Sequence, residues 1–266
     1  IVQLANNFRT AKSVNDAPRF WFDNIELSGD AFRFMPENRF GPVLWTMHTL
    51  SKGILKMSAQ MPPLGVDDNK ILELQFKNEG RWASAGKQEM DTDSRTVTFR
   101  IEDWDSAVEK EYRVLLPYKD VFGKEKVFEY SGKIRKEPVG RPLKFAAMTC
   151  QHHSGFPYTP VVRNLELKDP DLLYFSGDQI YEQNGGYPIK REPEDTAILN
   201  YLGKWYMFGW AFGDLMRDIP AVCTPDDHDV FQGNLWGGGG VPGRSGAGRG
   251  GRSGGCAGAA VCLRRL

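Results

Sequence analysis

The stretch Pro170-Asp171-Leu172-Leu173-Tyr174-Phe175-Ser176-Gly177-Asp178-Gln179-Ile180-Tyr181-Glu182 sets an uninterrupted apolar run ahead of a glycine, a carboxylate, a phenol and a second carboxylate. A run of this kind suits a strand buried on both faces, and Gly177 lets the backbone turn sharply where the strand emerges. Two other segments repeat the arrangement. Leu143-Lys144-Phe145-Ala146-Ala147-Met148-Thr149 leads into Cys150-Gln151-His152-His153, and Ile219-Pro220-Ala221-Val222-Cys223 leads into Thr224-Pro225-Asp226-Asp227-His228-Asp229. In open α/β sheets ligands bind at the carboxyl ends of the strands. Three such segments in one chain predict a layered α/β domain with its polar residues gathered along one edge.

Between the second and third segments lies a helical pattern. Ile198, Leu202, Trp205, Phe208, Phe212 and Leu215 recur at spacings of three and four and form one apolar stripe. Pro193 and Glu194 suit its first turn, and Pro220 follows its end. Gly203, Gly209 and Gly213 each weaken a helix by ~1 kcal/mol relative to alanine, a cost that close packing at those positions would explain.

Upstream of these segments the pattern changes. Gly132, Pro138, Gly140 and Pro142 break up Ser131–Pro142, which reads as a linker. Before it, Ile54–Met61 alternates, with Leu55, Met57, Ala59 and Met61 on one face, and Thr96–Ile101 places Val97, Phe99 and Ile101 inward. Phe20–Leu27, Ile71–Phe76, Tyr112–Leu116 and Lys126–Tyr130 are further strand candidates, separated by turns such as Val66–Asn69, Asn78–Gly80 and Phe122–Lys124. Short strands without a long amphipathic helix predict a β-sandwich. The expected organisation is therefore mixed: an all-β sandwich-like domain over residues 1–135, a partial α/β layered domain over 136–236, and a distinct tail over 237–266. In that tail 12 of 30 residues are glycine and 5 are arginine, with no acidic or aromatic residue. Such a composition cannot bury enough apolar surface to offset its ordering entropy. It reads as out-of-frame translation joined to a genuine domain; a natural Gly/Arg-rich RNA-binding tail is the alternative.

Lysine plus arginine equals aspartate plus glutamate at 34 each, so no basic excess points to nucleic acid. No stretch approaches the ~20 apolar residues of a membrane span. Four cysteines, two of them in the tail, form no disulfide framework and leave the redox compartment open. The sequence does not set the oligomeric state.

Gly177-Asp178 after a strand is the position of a bridging carboxylate in binuclear metallophosphoesterases, where two cations ~3.5–4 Å apart act on a phosphate ester. Those enzymes usually carry Asp-x-His on the first strand and Gly-Asn-His on a later one. This sequence has Cys150 and Asp226-Asp227-His228-Asp229 instead. In both departures it resembles the PhoD-like alkaline phosphatases, whose pattern is a cysteine ending the first strand, then Gly-Asp-x-Ile-Tyr-Glu, then Asp-Asp-His-Glu. The resemblance covers roughly residues 143–236, with Asp229 in place of the glutamate.

That resemblance implies Fe(III) and Ca²⁺ as cofactors, Cys150, Asp178, Tyr181 and Asp227 as metal ligands, and His228 as the catalytic residue facing the phosphate. Cys150 and Tyr181 would serve iron as thiolate and phenolate, Asp178 would bridge, and Asp227 would take the place of the usual asparagine; Tyr181, three residues after Asp178, would share its side by one helical turn. The implied substrate is a small phosphate mono- or diester, and the implied location is outside the cytoplasm. Taken singly, Cys150 also suits a buried small hydrophobe, Asp178 a helix N-cap and Tyr181 a packing position. His152-His153 suits either a site or a solvated surface. The four histidines are His48, His152, His153 and His228, with none after the third motif. The family draws further ligands from later strands, so the expectation is a site with its front half only. A reading from another class is a noncatalytic sandwich that binds through aromatics such as Trp21, Trp45, Trp82 and Trp104, fused to an inactive remnant.

Overall fold

The computed structural model describes residues 26, 28–33, 41–120 and 122–230. Residues 1–39 form a unit of their own, in which the described residues hold a turn and no strand or helix. The expected strand Phe20–Leu27 lies almost wholly outside the described residues, as does the whole 237–266 tail.

Within the unit that begins at Phe40, seven strands come first: β1 Trp45–Ser51, β2 Ile54–Gln60, β3 Ile71–Asn78, β4 Arg81–Glu89, β5 Thr96–Ile101, β6 Lys110–Lys119 and β7 Glu125–Ile134. They make two antiparallel sheets, ordered β1-β2-β5 and β4-β3-β6-β7. Their facing sides share one core in which Leu55, Met57, Ala59, Leu72, Leu74, Val97, Tyr112 and Val114 are buried. The alternation of Ile54–Met61 is thus the physical cause of that face. The expected Thr96–Ile101 strand is β5 with its bounds unchanged.

Two strands escape periodicity for opposite reasons. In β1 both Trp45 and Thr46 are buried, because one face meets the sandwich core and the other meets a helix. In β4 almost every residue is exposed or half-buried, so no apolar face marks it. The expected linker also begins later than its glycine suggested. Ser131, Gly132, Lys133 and Ile134 belong to β7, and Gly132 serves close approach, since a Cβ there would come within 2.6 Å of Arg217 Cγ and the Tyr112 hydroxyl.

After residue 144 the chain alternates between strand and helix: β8 Phe145–Met148, α1 Thr159–Lys168, β9 Leu172–Phe175, α2 Glu194–Asp218 and β10 Ala221–Cys223. The three strands form a parallel sheet ordered β10-β9-β8. Helix α2 starts after Pro193 and buries all six residues of the expected stripe. Two of its glycines face Trp45: a Cβ at Gly209 would overlap the indole ring, and one at Gly213 would lie 3.0 Å from Trp45 Cβ. Polar ties reinforce the seam, with Trp205 Nε1 donating to Gln60 Oε1 at 3.1 Å and Lys133 N to Asp218 Oδ1 at 3.0 Å.

Each crossover in this sheet steps in the same direction, from β8 to β9 and from β9 to β10. Crossovers of this type are right-handed almost without exception, which places both helices on one face. Val162 and Leu165 of α1 accordingly pack against the same core as α2. The opposite face is open among the described residues, with Phe145 at 54% and Val222 at 36% exposure. Among the described residues these apolar runs are covered on one side only, not on both faces as expected.

Candidate metal centre

The three loops that leave β8, β9 and β10 meet at one end of the parallel sheet. Backbone bonds zip the first two together: Ser176 N donates to Met148 O at 2.8 Å, Cys150 N to Gly177 O at 3.2 Å, and Gln151 N to Asp178 O at 2.9 Å. Thr224 N donates to Phe175 O at 2.9 Å and ties in the third. Gly177, at φ +114°, is required twice over, since a Cβ there would also come within 2.5 Å of Asp226 Cβ. Cys150 and Asp178 themselves occupy the left-handed region, at φ 59° and 54°. Non-glycine residues held there cost about 1–3 kcal/mol each and cluster at functional sites.

These turns gather the side chains around Asp178, which is 7% exposed. Its Oδ2 accepts a hydrogen bond from the Tyr181 phenol at 2.9 Å, and the Cys150 thiol points at the same oxygen from 3.6 Å. Its Oδ1 is buried and has no hydrogen-bond partner. One ligand atom each of Asp178, Asp227 and His228 lies within 4.8 Å of the other two. All five residues named from the sequence therefore surround one point. Their route there differs from expectation, because Asp178–Tyr181 is not a helical turn and Asp178 caps no helix; the positive-φ turn at Gly177-Asp178 aims both side chains instead.

Two further carboxylates complete the geometry. Glu182 Oε2 lies 2.7 Å from His228 Nδ1. Burial pulls the His228 imidazole down, but the Glu182 hydrogen bond and the charges of Glu182, Asp178 and Asp227 outweigh it and raise its pKa. The His228 ring also lies over Tyr181, with centroids 4.3 Å apart. Burial raises the Tyr181 phenol, and its hydrogen bonds to Cys150 and Asp178 raise it further. Asp229, 1% exposed, takes no part in the cluster itself and faces the backbone behind it. Burial pushes its carboxyl up to about 6, against three amide donors that pull it down. Both Glu182 and Asp229 were in the quoted motifs, yet nothing in their spacing distinguishes a carboxylate that serves a cation from one that serves a ring nitrogen or an amide.

His152 is exposed and its Nδ1 accepts from Ser154 N at 3.3 Å, while its ring meets Tyr181 edge-on at 5.1 Å. It borders the cluster without joining it. His48 is in the sandwich core instead. Trp45 and Trp104 are buried at 3% and 6% exposure, which removes them as platforms for sugar stacking, and Trp82 is half-buried beneath the Arg113 guanidinium.

The donors suit a cation. A buried carboxylate oxygen without a partner, two carboxylates that repel one another until a positive charge intervenes, a thiol and a phenol form one set. Oxygen donors suit Ca²⁺, and anionic sulfur and phenolate suit Fe(III). No helix among the described residues is long and apolar enough to cross a membrane.

No protein-family model matches the chain, and no curated protein matches it. Among solved structures it is similar to a GH family 64 laminaripentaose-producing β-1,3-glucanase from Paenibacillus barengoltzii, at TM-score 0.23 and 9% identity over 40% of this chain and 26% of that one. It is also similar to the NEAT5 domain of IsdX2, a B. anthracis hemophore in complex with heme, at TM-score 0.22 and 13% identity over 36% of this chain and 80% of that one. The chain thus spans about a quarter of the glucanase. Likenesses this slight carry no argument.

Proposed function

We propose that residues 136–230 belong to an α/β layered phosphoesterase domain of the PhoD-like kind, acting on small phosphate mono- or diesters through bound cations. The observation that carries this reading is the convergence of Cys150, Tyr181, Asp227 and His228 on Asp178, whose Oδ1 is buried without a partner. Asp178 would hold the cations jointly, Asp227 one of them, and Cys150 and Tyr181 an Fe(III). Bound cations in such a site neutralise phosphate oxygens and make water a stronger nucleophile.

The chain's own residues do the rest. Glu182 engages His228 Nδ1, which fixes the ring and leaves Nε2 as the nitrogen to face a phosphate. A raised imidazole pKa keeps a proton available there for the oxygen of the departing alcohol. The Tyr181 ring backs the imidazole and limits its rotation.

The test is cation uptake by the 266-residue chain, loaded with Ca²⁺ or Fe(III), freed of excess and counted by elemental analysis. Hydrolysis of p-nitrophenyl phosphate and of bis(p-nitrophenyl) phosphate is followed alongside. Retained cation should fall at least tenfold in Asp178→Asn and in Asp227→Asn, and any turnover should disappear on chelation. No retention, or retention indifferent to both substitutions, would sink the reading.

A further inference from the structure

Asp229 stands directly behind the cluster, and its carboxylate is spent entirely on the backbone. Oδ2 accepts from Asp178 N at 2.7 Å and from Asp226 N at 2.9 Å, while Oδ1 accepts from Ile180 N at 3.1 Å. Those three amides belong to two different loops, one leaving β9 and one leaving β10. Asp178 is the residue on which the cluster converges, Asp226 precedes Asp227, and Ile180 is fully buried in the helix-side core. The side chain that joins them is itself 1% exposed.

We propose that Asp229 is a positioning residue that locks the Asp178 turn to the Asp226-Asp227 turn, and so sets the separation of the two carboxylates that receive the cation. This rests on the metal-site reading above. Three geometric facts make the lock specific. Gly177 has no room for a Cβ against Asp226, so the two loops are already in close contact there. Asp178 sits in the left-handed region, which needs surrounding structure to hold it. Oδ2 alone bridges one amide of each loop and Oδ1 adds the Ile180 amide, so a side chain with a single acceptor oxygen cannot hold all three amides at once. Ile180, anchored in the core, then relates both turns to a rigid reference.

The experiment compares wild type with Asp229→Asn and Asp229→Glu in the 266-residue chain. Amide hydrogen exchange is read at Asp178, Ile180 and Asp226, with amides of the sandwich strand Thr96–Ile101 as the internal control. Ca²⁺ affinity is read by titration calorimetry. Asp229→Asn keeps the size but turns an amide nitrogen toward amide donors. Exchange at the three loop amides should therefore rise more than tenfold while the control is unchanged, and Ca²⁺ affinity should fall 10–100-fold. Asp229→Glu restores the carboxylate and should recover most of both. Unchanged loop exchange in Asp229→Asn would overturn the lock outright. Faster exchange with undiminished Ca²⁺ affinity would overturn the positioning role. A wild type that shows the slow loop exchange yet takes up no cation would instead overturn the metal-site reading, and with it the role assigned to Asp229 there; the exchange data separate the two failures.

Discussion

His48 lies in the sandwich core at 1% exposure, and neither ring nitrogen has a hydrogen-bond partner. Burial, with the Arg135 charge adding to it, holds the imidazole down at about 3. In the unfolded chain the same ring protonates near 6.5, so below that pH the unfolded state binds the extra proton and folding loses stability as pH falls toward 3. At pH 4.5 the loss from this one residue is about 2–3 kcal/mol, and above pH 7 it vanishes. His48→Leu should therefore flatten the pH dependence of the urea midpoint between pH 7 and 4.5 relative to wild type. Parallel curves for the two proteins would show that His48 does not carry the term. In the cluster, residue chemistry was legible to a point. Cys150, Asp178, Tyr181, Asp227 and His228 could be named because the segments that follow three apolar runs match the motif pattern of the family the sequence resembles. The duties of Glu182 and Asp229 could not be read, because they depend on which nitrogen each carboxylate meets across 46 and 51 residues.

At the scale of elements, α2 and β1 explain one another. The glycines Gly209 and Gly213 weaken the helix locally, and what they admit is Trp45, whose ring meets Trp205 and Tyr206 edge-on with centroids 6.2 and 6.0 Å away. Gly209→Ala gains ~1 kcal/mol of helix propensity but must displace the indole, and overpacking costs about 1–3 kcal/mol. The expected outcome is a net loss of up to about 2 kcal/mol in urea unfolding, with the Trp45 side of β1 disturbed most; a stabilised variant would mean that the ring moves aside freely. The helix was readable from its stripe, since one apolar face and a proline at each end suffice. Strand β1 was not, because a strand covered on both faces by different partners loses its period of two. Helix α1 went unforeseen as well, since its apolar residues Val161, Val162, Leu165 and Leu167 fall on no single stripe and only Val162 and Leu165 pack against the core.

Across the whole molecule, the antiparallel sandwich and the parallel sheet belong to one unit running on from Phe40. The seam between them is apolar at Trp45 and polar at Gln60, Thr46, Tyr112, Lys133 and Asp218, where Tyr112 accepts from the Thr46 hydroxyl and donates to Arg217 O at 2.9 Å. Buried hydrogen-bonded groups of this kind are costly to separate. Unfolding should accordingly be a single transition when followed by far-UV circular dichroism and by tryptophan fluorescence. Trp45→Ala should cost about 3–5 kcal/mol and split the two signals apart. Coincident curves in the variant would place the coupling elsewhere in the seam. The sequence suggested a break near residue 135 from a change in pattern, from alternation to continuous runs. That change is real, but a change of pattern marks a change of architecture and says nothing about how much surface two architectures share.

The order β10-β9-β8 has a consequence for how the protein is made. Because β9 joins β8 on one side and β10 joins β9 on the same side, the sheet widens in the order in which the ribosome delivers it. At about 5–20 residues per second, the strands emerge over a span on the order of ten seconds, long enough for each to settle against its predecessor before the next arrives. Among the described strands none has to be inserted between two already paired. The turns of the candidate site are delivered in the same sequence, with Cys150 first, Asp178 second and Asp227 third. The carboxylate of Asp229, arriving last, closes over amides of a turn that has already formed.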